Sequence, residues 1–501
     1  MMKKIIYLIA VVSGILVIDS CSTSDLELTN PNTLSPETFF TTVNQVESSV
    51  NATYALLQTR GLYSRNIFFA MDLMGQDAKG NPQLEGNKVP FQNFSFNSSS
   101  DIIQYYWESC FIGISRCNFV LDNAEKINAF SESALSAEAK NNFLGQAHFM
   151  RAYYYFLLVK RFGDLPIYRT GTIVGAARSP KAEVYALIEE DFTFAANNLF
   201  SKSDAGYQVG RATKEAAYAH LGKVLLYQQK YDQALAALNQ VTGFSLEAPG
   251  NFYNNFMEET EHGVESVFEV EFNADLGTGN MWDASGDSQG TGFAESTLRG
   301  QEYGNLNWFN VYPSDGILDE YEAGDTRFGD TFYVPGSTYL PGGTATMTAA
   351  NFATAAGNRR GGWKKYQNYY KQADEALQSS INFKVMRYSD VLLMKAECEN
   401  KRAGGSQAAA IEYITQVRTR AGLITSINPS AAEVFAAIIH ERKVEFAGEQ
   451  LRFDDIIRWG LASSELRGTG FQEGKSELWP IPDRETSSNP NITPGNNNPG
   501  Y

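Results

Sequence analysis

Cysteine is scarce in this chain, with four in 501 residues. That is too few for the disulfide framework that staples small secreted domains. Cys110 and Cys117 would sit two turns apart on one helix, about 10 Å along its axis, too far for an unstrained bridge. They read as buried thiols. Histidine is as rare: His148, His220, His262 and His440 are scattered, and no HExxH run occurs. No metal site and no cofactor are expected from them. Positive charge is in deficit, with 41 Lys and Arg against 57 Asp and Glu and a net charge of -16. Nothing would offset phosphate repulsion, which excludes nucleic acid as a partner. Beyond residue 18 no stretch reaches the roughly 18 apolar residues of a spanning helix. What the chain has in excess is aromatic residues, at 13%, including 26 Tyr and 32 Phe. Tyr serves both packed helices and sugar-facing surfaces.

Residues 1–20 read as an export signal. Lys3 and Lys4 precede an apolar run from Ile5 to Ile18 that is short for a membrane span. The run ends at Ser20-Cys21. A small residue followed by Cys resembles a bacterial lipoprotein signal, with Cys21 becoming acylated and N-terminal, although Asp19 stands where a small or apolar residue is usual. An ordinary secretory signal is the alternative. Acyl chains on Cys21 would hold the protein on a membrane lipid surface without a transmembrane helix.

Two blocks of helical periodicity follow. Ser136 is placed to cap a helix through Phe143, Ala147, Met150, Tyr154 and Leu157, which Gly163 and Pro166 stop. Thr213 opens a helix through Tyr218, Leu221 and Leu225, and Tyr231, Ala234, Leu235 and Leu238 mark its partner. The pair resembles a tetratricopeptide repeat, with Leu221-Gly222 and Ala234 at the close-packing positions. A looser copy runs through Leu392, Leu393, Ala396 and Glu397, breaks at Gly404-Gly405 and continues over 406–420. Ser430 to Glu433 reads as a capping box. It opens a third helix that Gly448 ends, and Asp454 and Arg458 are spaced for an i,i+4 pair. The expected fold is mainly α, a tetratricopeptide-like helical-repeat scaffold with a loop-rich insertion containing short strands.

Between about 245 and 380 Gly, Asn, Asp, Ser and Thr dominate, with aromatics interspersed. The run from Val267 to Phe272 alternates and predicts a strand. The tail, 483–501, reads as irregular chain without a core. Long loops on a rigid scaffold carry function. The expected organisation is a signal at 1–20, an N-terminal helical region at 21–244 and a C-terminal region at 245–501. The last comprises the 245–380 insertion, helices over 383–460 and the tail.

Several segments, in order, resemble the SusD/RagB family of outer-membrane nutrient-binding lipoproteins. They are Asp25 to Pro31, Tyr153 to Phe156 with Phe162-Gly163-Asp164-Leu165-Pro166, and Asp325-Thr326-Arg327. Arg387 to Met394, His440 to Phe446, Arg452 to Trp459, Trp479 to Pro482 and the terminal Asn498-Pro499-Gly500-Tyr501 complete the match, which spans essentially the whole chain. Arg442, Arg452 and Arg458 stand among Glu441, Glu445, Asp454 and Asp455 and are expected to clamp helix to helix.

The resemblance implies a surface receptor that is not an enzyme. Such a receptor captures oligosaccharide, or in some members peptide, over a SusC-like TonB-dependent transporter in the outer membrane. The less favoured alternatives are a peptide-capturing RagB-like lipoprotein and a surface glycoside hydrolase, whose carboxylate pair spacing alone cannot reveal. The family sometimes carries a structural Ca²⁺, but no EF-hand spacing occurs.

Sugar recognition needs an aromatic face and hydroxyl-reading polar groups. Trp282, Tyr303, Trp308 and Tyr312 supply the first within 275–315, beside Asp283, Asp287, Gln289, Glu302, Asn305 and Asn307. Loop packing is the alternative for Trp282, and anchoring of the following turn for Trp308. Trp363 is a further candidate, with packing the favoured reading. Asp77 and Asn81 are candidates on a second surface, 72–96, against a merely solvated loop. Trp107 reads as core.

Overall fold

The computed structural model describes residues 39–171, 175–276, 295–374 and 377–501. The expected export signal, Cys21, the expected tether and Trp282 lie outside the described residues. No helix among the described residues is long and apolar enough to cross a membrane.

Seven principal helices precede the loop-rich block: α1 (Val43–Tyr54), α2 (Asn66–Gly75), α3 (Asp101–Asp122), α4 (Ala137–Phe162), α5 (Lys181–Asn198), α6 (Lys214–Tyr227) and α7 (Tyr231–Leu238). Four follow it: α8 (Tyr388–Lys401), α9 (Gln407–Arg420), α10 (Ala431–Glu445) and α11 (Arg452–Arg458). From α3 to α10 each helix packs on the next. This nearest-neighbour stacking is the logic of a helical repeat, in which no hairpin buries its apolar face alone. Hydroxyl side chains cap the starts: Ser136, Thr213, Ser406 and Ser430 accept from the N–H of Ala139, Ala216, Ala409 and Glu433 at 3.1–3.3 Å. At Ser430 only this serine half of the expected capping box forms. Gly222 sets the α6–α7 approach, because a Cβ there would lie 2.6 Å from the Leu238 side chain.

Four short strands position the rest: β1 (Ala78–Gly80), β2 (Ser266–Val270), β3 (Val311–Pro313) and β4 (Phe383–Arg387). β1 pairs with β3 and β2 with β4, both antiparallel. The strand expected over 267–272 forms as β2, and every residue of it is buried. Glu269 tolerates burial because Lys384 Nζ lies 2.6 Å from its carboxylate. Burial would raise the Glu269 pKa, and Lys384 and His262 outweigh it and hold the group at about 2.

The family-like segments form a buried charge lattice. Arg327 bonds Asp325, Glu441 and Glu445. Arg387 bonds Glu265, Glu445 and Glu449, and Arg420 shares Glu265 and Glu445. Arg442 bridges Asp390 and Asp455 at 2.6 and 2.8 Å. The i,i+4 pair expected between Asp454 and Arg458 does not form. Arg458 turns to Asp455 and Glu397, while Asp454 faces α4 and binds Lys160 and Arg161. Among the described residues Arg452 bonds only Glu465 and sits at the margin of the lattice.

The tail departs from the irregular, coreless chain expected. Asp483–Ser488 is helical, and Ile492 is fully buried. Asn498 donates to the carbonyls of Phe162 and Trp479 at 2.9 and 2.7 Å. The tail folds because it supplies partners for the carbonyls at the end of α4.

Candidate functional site

The β1–β3 ladder joins two loops that lie more than 200 residues apart. Lys79 stands opposite Tyr312, and beyond the ladder Asn81 N–H donates to Asn310 O at 2.9 Å. The Asn81 amide donates to Phe309 O at 2.6 Å. Gln83 donates to the carbonyls of Trp308 and Phe309 at 3.0 and 2.9 Å. Surfaces 72–96 and 303–313 are therefore one surface.

Phe309 adopts φ of 48°, a left-handed conformation unusual for an aromatic residue. The turn sends Phe309 inward, 4% exposed, against Tyr333, Met347, Phe352 and Tyr369. Its neighbour Trp308 is left 38% exposed. The turn is braced from below: Leu306 N–H donates to the Tyr369 hydroxyl at 3.0 Å, and that hydroxyl donates to Asn307 Oδ1 at 2.6 Å. Gly304 makes room for the hydroxyl, since a Cβ there would overlap it and lie 2.6 Å from Gly300 O. Gly304→Ala is expected to cost about 1–3 kcal/mol by overpacking and to loosen the Trp308 turn. Urea denaturation together with tryptophan quenching would check it; unchanged stability and unchanged quenching would refute it.

Arg359 reaches this surface from the 353–358 hairpin. Its Nε donates to Asn81 Oδ1 at 2.8 Å, and its guanidinium carbon lies 4.2 Å from the Tyr312 ring centroid. Asn81 is therefore a positioning residue with both amide atoms engaged, 3% exposed. Tyr312 is half-buried and backs the guanidinium. The groups that face outward are the Trp308 ring, Arg359 and the exposed Gln83 side chain.

Other candidates are corrected by their burial. Tyr303 is fully buried under Arg299, and its hydroxyl donates to the Asp72 carboxylate at 3.0 Å. Trp363 is 1% exposed and packs on Phe332 and Gly448. Neither ring offers a face to a ligand. Asp77 is also buried; burial raises its pKa to about 6 against the opposing Arg452 and Lys443 charges. Trp282 cannot be placed, and neither can Gly286-Asp287-Ser288-Gln289-Gly290, which has the spacing of a hydrolase nucleophile elbow; both fall outside the described residues. Sequence reasoning missed Arg359. The only signal was a pair of arginines ahead of Gly361-Gly362 in a loop otherwise poor in charge.

Elsewhere, one potential ligand atom from each of His262, Glu269 and Glu271 lies within 4.8 Å of the others. Lys384 already supplies a cation to Glu269, and Asn382 donates to both carboxylates at 3.0–3.1 Å. These partners engage Glu269 and one oxygen of Glu271, while Glu271 Oε1 is buried without a hydrogen-bond partner among the described residues.

Residues 264–501 match the SusD family model, and residues 26–226 match the model described as starch-binding associating with outer membrane. The chain belongs to the SusD/RagB family. SusD-like protein P2 of Formosa agariphila is 28% identical, in an alignment that covers all of both chains. A SusD superfamily protein of Bacteroides vulgatus superposes with a TM-score of 0.77 at 24% identity, covering 92% of this chain and 100% of that one. Surface glycan-binding protein A of Bacteroides thetaiotaomicron, in complex with laminarihexaose, superposes with a TM-score of 0.73 at 20% identity over 91% of this chain and 100% of that one. These likenesses establish the mainly α, tetratricopeptide-like SusD fold.

Proposed function

We propose that this SusD-family protein is a non-catalytic cell-surface receptor for oligo- or polysaccharide. It is held on the outer membrane by acylated Cys21 and passes its ligand to a SusC-like TonB-dependent transporter. The 245–380 insertion carries the binding surface, with Trp308 as the stacking platform. The observation that carries this reading is the contiguous set of Trp308, Gln83 and Arg359, fixed to one another through Asn81 and the Phe309 turn. An exposed indole beside fixed hydrogen-bonding groups is what a pyranose face and its hydroxyls require. The family description as starch-binding and a protein of the same fold holding laminarihexaose support a glycan as the ligand class.

The test is affinity electrophoresis of the chain from Ser22 onward through gels containing plant, microbial and host polysaccharides. Retardation by at least one is expected. Trp308→Ala is expected to weaken the interaction by about 1–3 kcal/mol, the range of a buried aromatic anchor, with an unchanged circular dichroism spectrum. Full retention of affinity would remove Trp308 from the site.

A further inference from the structure

We propose that the site selects an anionic sugar, one bearing a uronate carboxylate or a sulfate ester, and that Arg359 is the residue that reads the charge. The proposal rests on the glycan-binding reading above and names its substrate class.

The argument begins with how this chain treats its cations. Within 295–374 there are seven Lys and Arg residues. Arg299, Arg327, Arg360, Lys364, Lys365 and Lys371 each sit on a carboxylate: Asp72, Asp325, Asp319, Asp330, Glu449 and Glu258 respectively. Arg359 alone has no carboxylate partner among the described residues. Its neighbour Arg360 is 2.6 Å from Asp319, so acidic groups are close at hand, yet none has been placed against Arg359. In a chain of net charge -16 this is a local inversion of sign.

A second cation repeats the pattern. Lys79 faces the same side as Tyr312, because directly paired residues of an antiparallel ladder project together. Its Nζ bonds only the side-chain oxygen of Gln76, at 2.5 Å, and no carboxylate among the described residues. Lys79 and Arg359 thus flank Tyr312. Partial burial of an unpaired charge is unfavourable, and an incoming anion would relieve it at both residues.

The geometry of Arg359 fits it for recognition. Its Nε is fixed on Asn81 and its plane lies over Tyr312, so the two terminal nitrogens are held in a defined direction. A pre-set guanidinium fork matches the paired oxygens of a carboxylate or sulfate. With Trp308 on the same contiguous surface, the ring face and the charged substituent of one sugar chain would be read together.

The experiment uses chemically matched polysaccharides that differ only in charge, measured by affinity electrophoresis and calorimetry on the chain from Ser22 onward. Polygalacturonate and alginate are paired with their carboxyl-reduced forms, fucoidan and carrageenan with their desulfated forms, and laminarin and starch are included as neutral glycans. The charged member of at least one pair is expected to bind about tenfold or more tightly than its neutral counterpart, with affinity falling as salt rises. Which pair responds separates the carboxylate from the sulfate. Arg359→Gln is expected to abolish the preference, Lys79→Gln to reduce it, and Arg359→Lys to retain part of it. Equal binding of both members of every pair, or a preference that survives Arg359→Gln, overturns the anionic assignment and leaves glycan capture standing. Failure to bind any glycan, charged or neutral, overturns both.

Discussion

Replacing Arg387 with Ala is expected to lower the unfolding free energy by roughly 3–5 kcal/mol, the range found when one partner of a buried ion pair is removed. Arg387 is 1% exposed and stands where β4 runs into α8. Its guanidinium contacts Glu265 ahead of β2, Glu445 at the end of α10 and Glu449 in the following turn. Burial disfavours its charge, but Glu449, Glu445 and Glu265 outweigh that and hold its pKa well above the ordinary arginine value. Without the guanidinium, Glu449 keeps only Lys365 Nζ at 2.7 Å, Glu265 and Glu445 must share Arg420, and the one other cation on the Glu445 carboxylate among the described residues, Arg327, is already divided with Asp325 and Glu441. Three carboxylates would then be buried with too few cations, and the strand–helix junction would lose its common anchor. Urea denaturation of the two proteins measures the difference through the midpoint at constant slope. Arg387→Lys should recover only part of the loss, since an ammonium cannot reproduce the fork. A loss below about 1 kcal/mol would show that the lattice is redundant.

The lattice also explains which parts of the molecule were legible in the sequence. Helices were, because their information is local: apolar positions at three- and four-residue spacing, a hydroxyl before the first turn, a glycine after the last. Ser136, Thr213 and Gly222 occupy the roles their spacing predicts. The wrong pairing of Asp454 with Arg458 has the opposite origin. Spacing alone allows an i,i+4 bridge, but α4 presents Lys160 and Arg161 to Asp454, and no local pattern encodes that. The ligand surface suffers most from this limit. Tyr303, Trp308 and Tyr312 are three similar residues within ten positions, and they end as a core ring, an exposed ring and a half-buried support. Their fates are set by Asp72, by the left-handed Phe309 and by Arg359, each of them fixed by tertiary structure. Composition marked the loop as functional and could not say which of its aromatics faces water.

Acid is expected to expose a second buried group, His220. It is 1% exposed among Phe149, Phe192 and Phe268, with ring centroids 5.2–5.8 Å away. Its Nδ1 lies 2.8 Å from Ala216 O, so that nitrogen carries the proton and donates, and Nε2 has no partner. Burial, opposed by the Ala216 carbonyl and reinforced by Lys223, pushes its pKa down to about 3 from the ordinary 6.5. Between those two values the unfolded chain binds a proton that the folded chain refuses. Stability therefore falls as pH falls from about 6.5 toward 3, and by pH 5 the loss from this group alone is about 2 kcal/mol. Asp77, held at about 6, and Glu261, raised by burial to about 8, act with the opposite sign, so the pH profile of the native protein mixes these contributions. His220→Phe separates them, because the other groups titrate in both proteins and cancel in the difference. Between pH 8 and pH 5 the native protein is expected to lose about 2 kcal/mol more than the variant in urea denaturation. A difference that does not move with pH would mean that the folded protein accepts the proton, and that the aromatic cage around His220 opens to admit it.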